Sequence, residues 1–171
     1  MFNGKQLRIG GVVESSNLCV VRILGMPDKA GGAASAVKVF GRAGVNIEFL
    51  AESRDPSGGA NVTAAILMTD MDRLDALLSE IRRETTTSYV ESEPDCAVVG
   101  IYGPEVREIP GVATKLFAAF GERNINILGI ATSLSSLCCV VRERDRAAAV
   151  SAISATFEVP ANRNFSRESL V

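Results

Sequence analysis

Histidine and tryptophan are absent from this 171-residue chain, and tyrosine occurs only at Tyr89 and Tyr102. Without histidine the commonest general base is missing, and the usual Cys/His zinc sets cannot be built. Cys19, Cys96, Cys138 and Cys139 show no C-x-x-C spacing. Each lies in a strand-like run, where a reduced cysteine behaves as a small hydrophobe, and adjacent Cys138 and Cys139 should point to opposite faces of a strand. Phosphate-cradling G-x-x-x-x-G-K-[ST] and G-x-G-x-x-G loops are missing, as is a G-x-S-x-G elbow. Asp70 and Asp72 read as a helix start responding to the helix dipole, not as an acid–base pair. No catalytic residue, metal or cofactor is expected.

Concentrated charge is also lacking. A net charge of −2 and a pI near 5.3 give no electrostatic case for nucleic acid, which requires clustered Lys and Arg. No apolar run approaches the ~18–20 residues that span a bilayer, and Met1–Lys5 lacks the apolar core of a signal peptide. A soluble, cytoplasmic protein is expected, so the sequons at Asn61 and Asn164 are read as chance. The 47% apolar fraction fits a globular protein rather than a disordered one.

What is present is a repeat. Ala30-Gly31-Gly32-Ala33 aligns with Pro110-Gly111-Val112-Ala113, eighty positions later, and the register holds without gaps. Phe40-Gly41 falls on Phe120-Gly121, Asn46-Ile47 on Asn126-Ile127, and Ala51 on Ala131. So long a period is a whole small module rather than a solenoid unit. Each half is near the size at which one core is marginal, so mutual packing or oligomerisation follows.

Both halves read strand–helix–strand–strand–helix–strand. In the first, Leu18–Gly25, Asn46–Glu52, Asn61–Met68 and Ser88–Glu93 read as strands. Ala30–Ala43 reads as one helix, and a second follows Asp70 as N-cap, with Leu74, Leu77, Leu78 and Ile81 as its apolar stripe. In the second, Cys96–Tyr102, Asn126–Thr132 and Leu137–Arg142 read as strands, with helices over Gly111–Arg123 and Asp145–Ala155. The order is the split-βαβ, ferredoxin-like one: α+β, with antiparallel sheets and helices on one face. The second half's closing strand, Phe157–Val159, is short. Leu7–Val13 has no partner in the first half and is free to complete the second sheet. The modules are then 14–93, and 94–160 with 6–13. The polar tail, 161–171, should fray.

Binding is better supported than catalysis. Asp28-Lys29-Ala30-Gly31-Gly32-Ala33 runs from a strand end into a helix start. Its glycines let backbone N–H groups approach a carboxylate, although they equally permit a plain turn. Asn46 and Asn126 either end the preceding turn in left-handed geometry or belong to a site. Asp28 and Glu52 are either an acidic rim for an ammonium group or two solvated acids.

At these residues the chain resembles the regulatory region of aspartate kinase, built from two ACT modules. The motifs are Gly25-Met26-Pro27-Asp28-Lys29-Ala30-Gly31-Gly32-Ala33-Ala34 with Ala43-Gly44-Val45-Asn46-Ile47-Glu48, then Ile109-Pro110-Gly111-Val112-Ala113, Asn124-Ile125-Asn126-Ile127 and Ala131-Thr132-Ser133. The resemblance spans about residues 6–160. It implies two ACT folds, one inserted in the other, and a feedback amino acid, threonine or lysine, bound between modules of two chains. It assigns ligand contacts to Asp28, Gly31, Gly32, Ala33 and Glu52, with Asn126 and Ile127, and implies a homodimer whose partner is a kinase catalytic chain. A stand-alone ACT sensor for another partner, or a ligand-free structural dimer, are the alternatives. Departures occur at Ala30, where proline is usual, at Gly32, where an apolar residue is usual, at Glu52, where glutamine is usual, and at Leu134-Ser135-Ser136, where Glu-Ile-Arg or Glu-Ile-Lys is usual. They bear on side-chain selectivity more than on carboxylate binding.

Overall fold

A computed structural model describes residues 6–87, 89–160 and 164–166, with backbone alone for Met71 and for 164–166. In chain order the strands and helices are β1 (Leu7–Arg8), β2 (Gly11–Pro27), α1 (Gly32–Arg42), β3 (Phe49–Arg54), β4 (Gly59–Leu67), α2 (Leu74–Thr85) and β5 (Tyr89–Tyr102). There follow α3 (Glu105–Glu108), α4 (Val112–Gly121), β6 (Gly129–Thr132), β7 (Ser136–Arg142), α5 (Arg146–Thr156), β8 (Phe157–Glu158) and β9 (Asn164–Ser166). Two compact units result. One is Asn17–Cys96; the other comprises the described residues of Met1–Ser16 and Ala97–Val171. Each is an α+β unit with an antiparallel sheet and helices on one face.

In the Asn17–Cys96 unit the strand order is β3-β4-β2-β5. Cys19, Val21 and Ile23 of β2 lie opposite Ile66, Ala64 and Val62 of β4. Alternate residues share one face of a strand, so all six enter one core, closed by Val39 and Phe40 of α1 and Leu77 and Ile81 of α2. In the other unit the order is β2-β5-β7-β6. Leu137, Cys139 and Val141 of β7 point into its core with Leu116 and Phe120 of α4 and Ile153 of α5. β1 runs parallel to β8, with Leu7 opposite Phe157, so Leu7–Arg8 lies beside the strand that follows α5. Cys138 is half-buried and Cys139 buried, as their opposite directions require.

The structure corrects several element boundaries. Leu7–Val13 and Leu18–Gly25 are not separate strands: from Gly11 the chain continues as β2. Likewise Cys96–Tyr102 is the second part of β5. The polar residues that read as breaks lie within these strands, where Asn17 (φ 58) and Asp95 (φ 56) adopt the left-handed conformation. Asn and Asp tolerate it better than most residues. Strands expected from Asn46 and Asn126 begin only at Phe49 and Gly129. Asp70 does not cap the second helix. It lies in a 3-10 turn, Met68–Arg73, and α2 starts at Leu74. The Arg73 guanidinium donates to the Ala43 carbonyl at 3.0 Å, tying that turn to the end of α1. Of the tail, Asn164–Ser166 pairs with Val12–Glu14 of β2; 161–163 and 167–171 lie outside the described residues, as do Met1–Lys5 and Ser88.

Candidate functional site

The two helix entrances have the same geometry. Gly31 precedes α1 at φ 87, ψ 1, and Gly111 precedes α4 at φ 89, ψ 2. An L side chain is strained at such a φ, which accounts for glycine in both copies. Neither helix start has a side-chain cap. The first amides of each helix therefore point outward, and with the helix dipole they favour an anion. One donor is already engaged: Gly32 N–H bonds the Lys29 carbonyl at 3.0 Å. The Gly31 carbonyl accepts the Ser35 amide at 2.9 Å and the Ser35 hydroxyl at 3.1 Å, which fixes the entrance. Ala33, in the first turn, is half-buried.

Asp28 is exposed and meets Arg54 Nη2 at 2.9 Å. Arg54 is a residue that sequence reasoning missed. The only signal for it is a register argument: Pro27 lies opposite Gly59 and Arg54 opposite Ala60, which brings the ends of β2 and β3 alongside β4. The pair is exposed, so its own stabilisation is at most about 1 kcal/mol. Glu52 lies two residues earlier on the same exposed face of β3 as Arg54. The hairpin beyond is held by Asp55, whose carboxylate accepts the Ser57 hydroxyl at 2.6 Å, the Ser57 amide at 2.8 Å and the Gly59 amide at 2.9 Å. These hydrogen bonds, the Ser57 hydroxyl foremost, hold the Asp55 carboxyl below its ordinary range.

Asn126 and Ile127 belong to the other unit. Asn126 is exposed, while Ile127 is half-buried against its unit's core. They lie between two anchored amides: Ile125 N–H bonds the Phe120 carbonyl at 3.0 Å and Leu128 N–H the Val140 carbonyl at 2.8 Å. Val45 and Glu48 are held in the same way, by Phe40 at 3.0 Å and Ala65 at 2.8 Å. The left-handed residue in these turns is not Asn46 or Asn126 but the one two positions earlier, Gly44 (φ 68) and Asn124 (φ 55). The turn therefore does not need Asn46 or Asn126 to adopt left-handed geometry.

Among the described residues, no cluster of Cys, Asp and Glu is arranged to hold a metal ion, and no helix is long and apolar enough to cross a membrane.

Comparison with known proteins agrees with this architecture. Models of the ACT domain match residues 20–85 and 99–157. An aspartokinase of Bacillus sp. (strain MGA3) is 24% identical over 155 residues, covering 91% of this chain and 38% of that protein. An aspartokinase of Mycolicibacterium smegmatis is 28% identical over 149 residues, covering 86% and 35%. The chain thus spans a little over a third of the length of these relatives. Among solved structures, the regulatory subunit of aspartate kinase from Thermus thermophilus superposes with a TM-score of 0.76 at 22% identity, over 88% of this chain and 99% of that one. Aspartate kinase from Synechocystis superposes with a TM-score of 0.78 at 25% identity, over 94% of this chain and 30% of that one. The Thermus chain, a regulatory subunit, is matched nearly end to end.

Proposed function

The chain belongs to the ACT-domain family, as a tandem homologous to the regulatory region of aspartate kinases, and from that premise we propose that it is the non-catalytic regulatory module of an aspartate-kinase-type enzyme. It binds a feedback amino acid and controls a kinase catalytic chain. The observation that carries the binding is the repeated helix entrance: a left-handed glycine followed by a helix with no side-chain cap, fit to receive a carboxylate. The tie to a kinase rests on the relatives, which are aspartokinases and their regulatory subunits.

In this reading the ligand carboxylate meets backbone amides at Gly31 and Ala33, with Gly32 supplying space rather than a donor. Asp28 and Glu52 lie toward the ammonium group, and Asn126 and Ile127 of a second copy close the site in a homodimer. Two acids alone would favour lysine. Arg54, paired with Asp28, offsets one of them and tips the choice toward threonine.

Reconstitution tests the proposal. An aspartate kinase catalytic chain assayed with and without this protein should become sensitive to threonine, or less strongly to lysine, only when it is present. A catalytic chain whose response to both amino acids is unaffected by the protein refutes it.

A further inference from the structure

The N-terminal segment and the tail run side by side. Gln6 Nε2 donates to the Ala155 carbonyl at 2.6 Å. Leu7 and Arg8 pair in parallel with Phe157 and Glu158, and the Ile9 amide donates to the Glu158 carbonyl at 3.0 Å. The pairing then resumes further on, where Val12, Val13 and Glu14 lie parallel to Asn164, Phe165 and Ser166. The tail thus accompanies the start of β2 instead of leaving the unit at the end of β8.

What β9 covers is a sheet edge. β2 neighbours β5 on one side, and β4 pairs with it only from Leu18 to Pro27. The backbone groups of Val12–Glu14 turned away from β5 are taken by β9. Native edges are usually blunted by lysine, proline or a bulge. Gly11-Val12-Val13-Glu14-Ser15-Ser16 contains neither lysine nor proline, and only one charge. That charge is neutralised: Glu14 is ion-paired with Arg146 of α5, which Glu143 also holds at 2.6 Å. Val12 is buried in the unit's core, which anchors the stretch from its helix side. β9 is the weaker partner, since three residue pairs open more readily than the sheet they lie on.

We propose that Asn164–Ser166 is a detachable strap over a self-pairing edge. When it lifts, Gly11–Ser16 of one chain adds antiparallel to Gly11–Ser16 of a second copy. Identical strands pair in this way about a two-fold axis. With the axis at Val13, each Glu14 faces the Val12 of the other copy, so no like charges meet. The pairing uses neither the Gly31 entrance nor the outer strand β6, and it does not depend on amino-acid binding.

Hydrogen exchange and sedimentation of the full chain test it. Asn164→Pro with Phe165→Pro removes two successive amide hydrogens, one of which faces β2. In dilute solution the amides of Gly11–Ser16 should then exchange about tenfold faster than in wild type. At roughly hundredfold higher concentration they should recover protection, in a species larger than the wild type's. A synthetic peptide of residues 161–171 at millimolar concentration, comparable to the effective concentration of a tethered segment, should return the variant to wild-type size. Unchanged exchange at Gly11–Ser16, wild-type size at the higher concentration, or enlargement without recovered protection overturns the proposal. So does enlargement that the peptide fails to reverse, which is what a merely misfolded variant would show.

Discussion

Burial pushes the Cys139 thiol up to about 12 from an ordinary value near 9.0, with neighbouring Cys138 adding to the rise. The native state therefore holds that proton more tightly than the unfolded chain. Its contribution to stability is complete below pH 9 and is lost as the pH rises from there through about 12. Urea unfolding at pH 8 and pH 11 should show stability falling, on the order of a few kcal/mol in the free protein, and Cys139→Ala should flatten the fall. An equally steep fall in that variant would assign it to other groups. Asn124 offers a second residue-scale test. At φ 55 it closes the turn after α4, so Asn124→Ala should cost about 1–2 kcal/mol while Asn124→Gly should cost little. Equal urea midpoints for the two variants would contradict the assigned strain. Asn124 also illustrates what could be read beforehand. The turn was visible in the repeat, but which of its polar residues takes the left-handed conformation was not. Asn124 and Asn126 have the same intrinsic tolerance, and only the pinned amides of Ile125 and Leu128 distinguish them.

At the scale of elements, the repeat determines the packing. Phe40 and Phe120 occupy the same repeat position, and both are buried, one in each core. Phe40→Ala and Phe120→Ala should each cost about 3–5 kcal/mol by chemical denaturation. A loss under about 1 kcal/mol at either would mean that its helix is not seated as described. The helices and inner strands were legible because their apolar residues recur at helical and alternating spacings, as Leu74, Leu77, Leu78 and Ile81 do. The passages within β2 and β5 were not. Glu14-Ser15-Ser16-Asn17 and Pro94-Asp95 have the composition of linkers, yet both run within strands. β2 and β5 are neighbours in the sheet, remote in sequence, and the Arg22–Glu93 ion pair at 2.6 Å links them near the second of these passages. Arg54 escaped notice for a similar reason. Its partner Asp28 is remote in sequence, and only the register of β2, β3 and β4 brings them together.

For the whole molecule, the edges carry the expectation. β3 and β6 are outermost in their strand orders. Leu50 on β3 is 46% exposed and Ile130 on β6 is 44% exposed, again at equivalent positions of the repeat. An edge strand with exposed apolar side chains invites pairing. Sedimentation should therefore find a dimer or larger species at micromolar concentration, and Leu50→Lys with Ile130→Lys should shift it toward monomer. A wild-type chain that remains monomeric with and without amino acids would contradict the homodimer. It would also leave the Asp28 loop without the Asn126 and Ile127 of a second copy.

The central claim, that the chain binds a feedback amino acid at the Gly31 entrance, is tested most directly by calorimetric titration of threonine into the wild-type protein and into Asp28→Ala. Asp28 is exposed, so the substitution should leave the fold intact by circular dichroism. The expected result is saturable binding of threonine, tighter than that of lysine, weakened about tenfold or more in the variant. No saturable binding of either amino acid, or equal threonine affinity in wild type and folded Asp28→Ala, would contradict it.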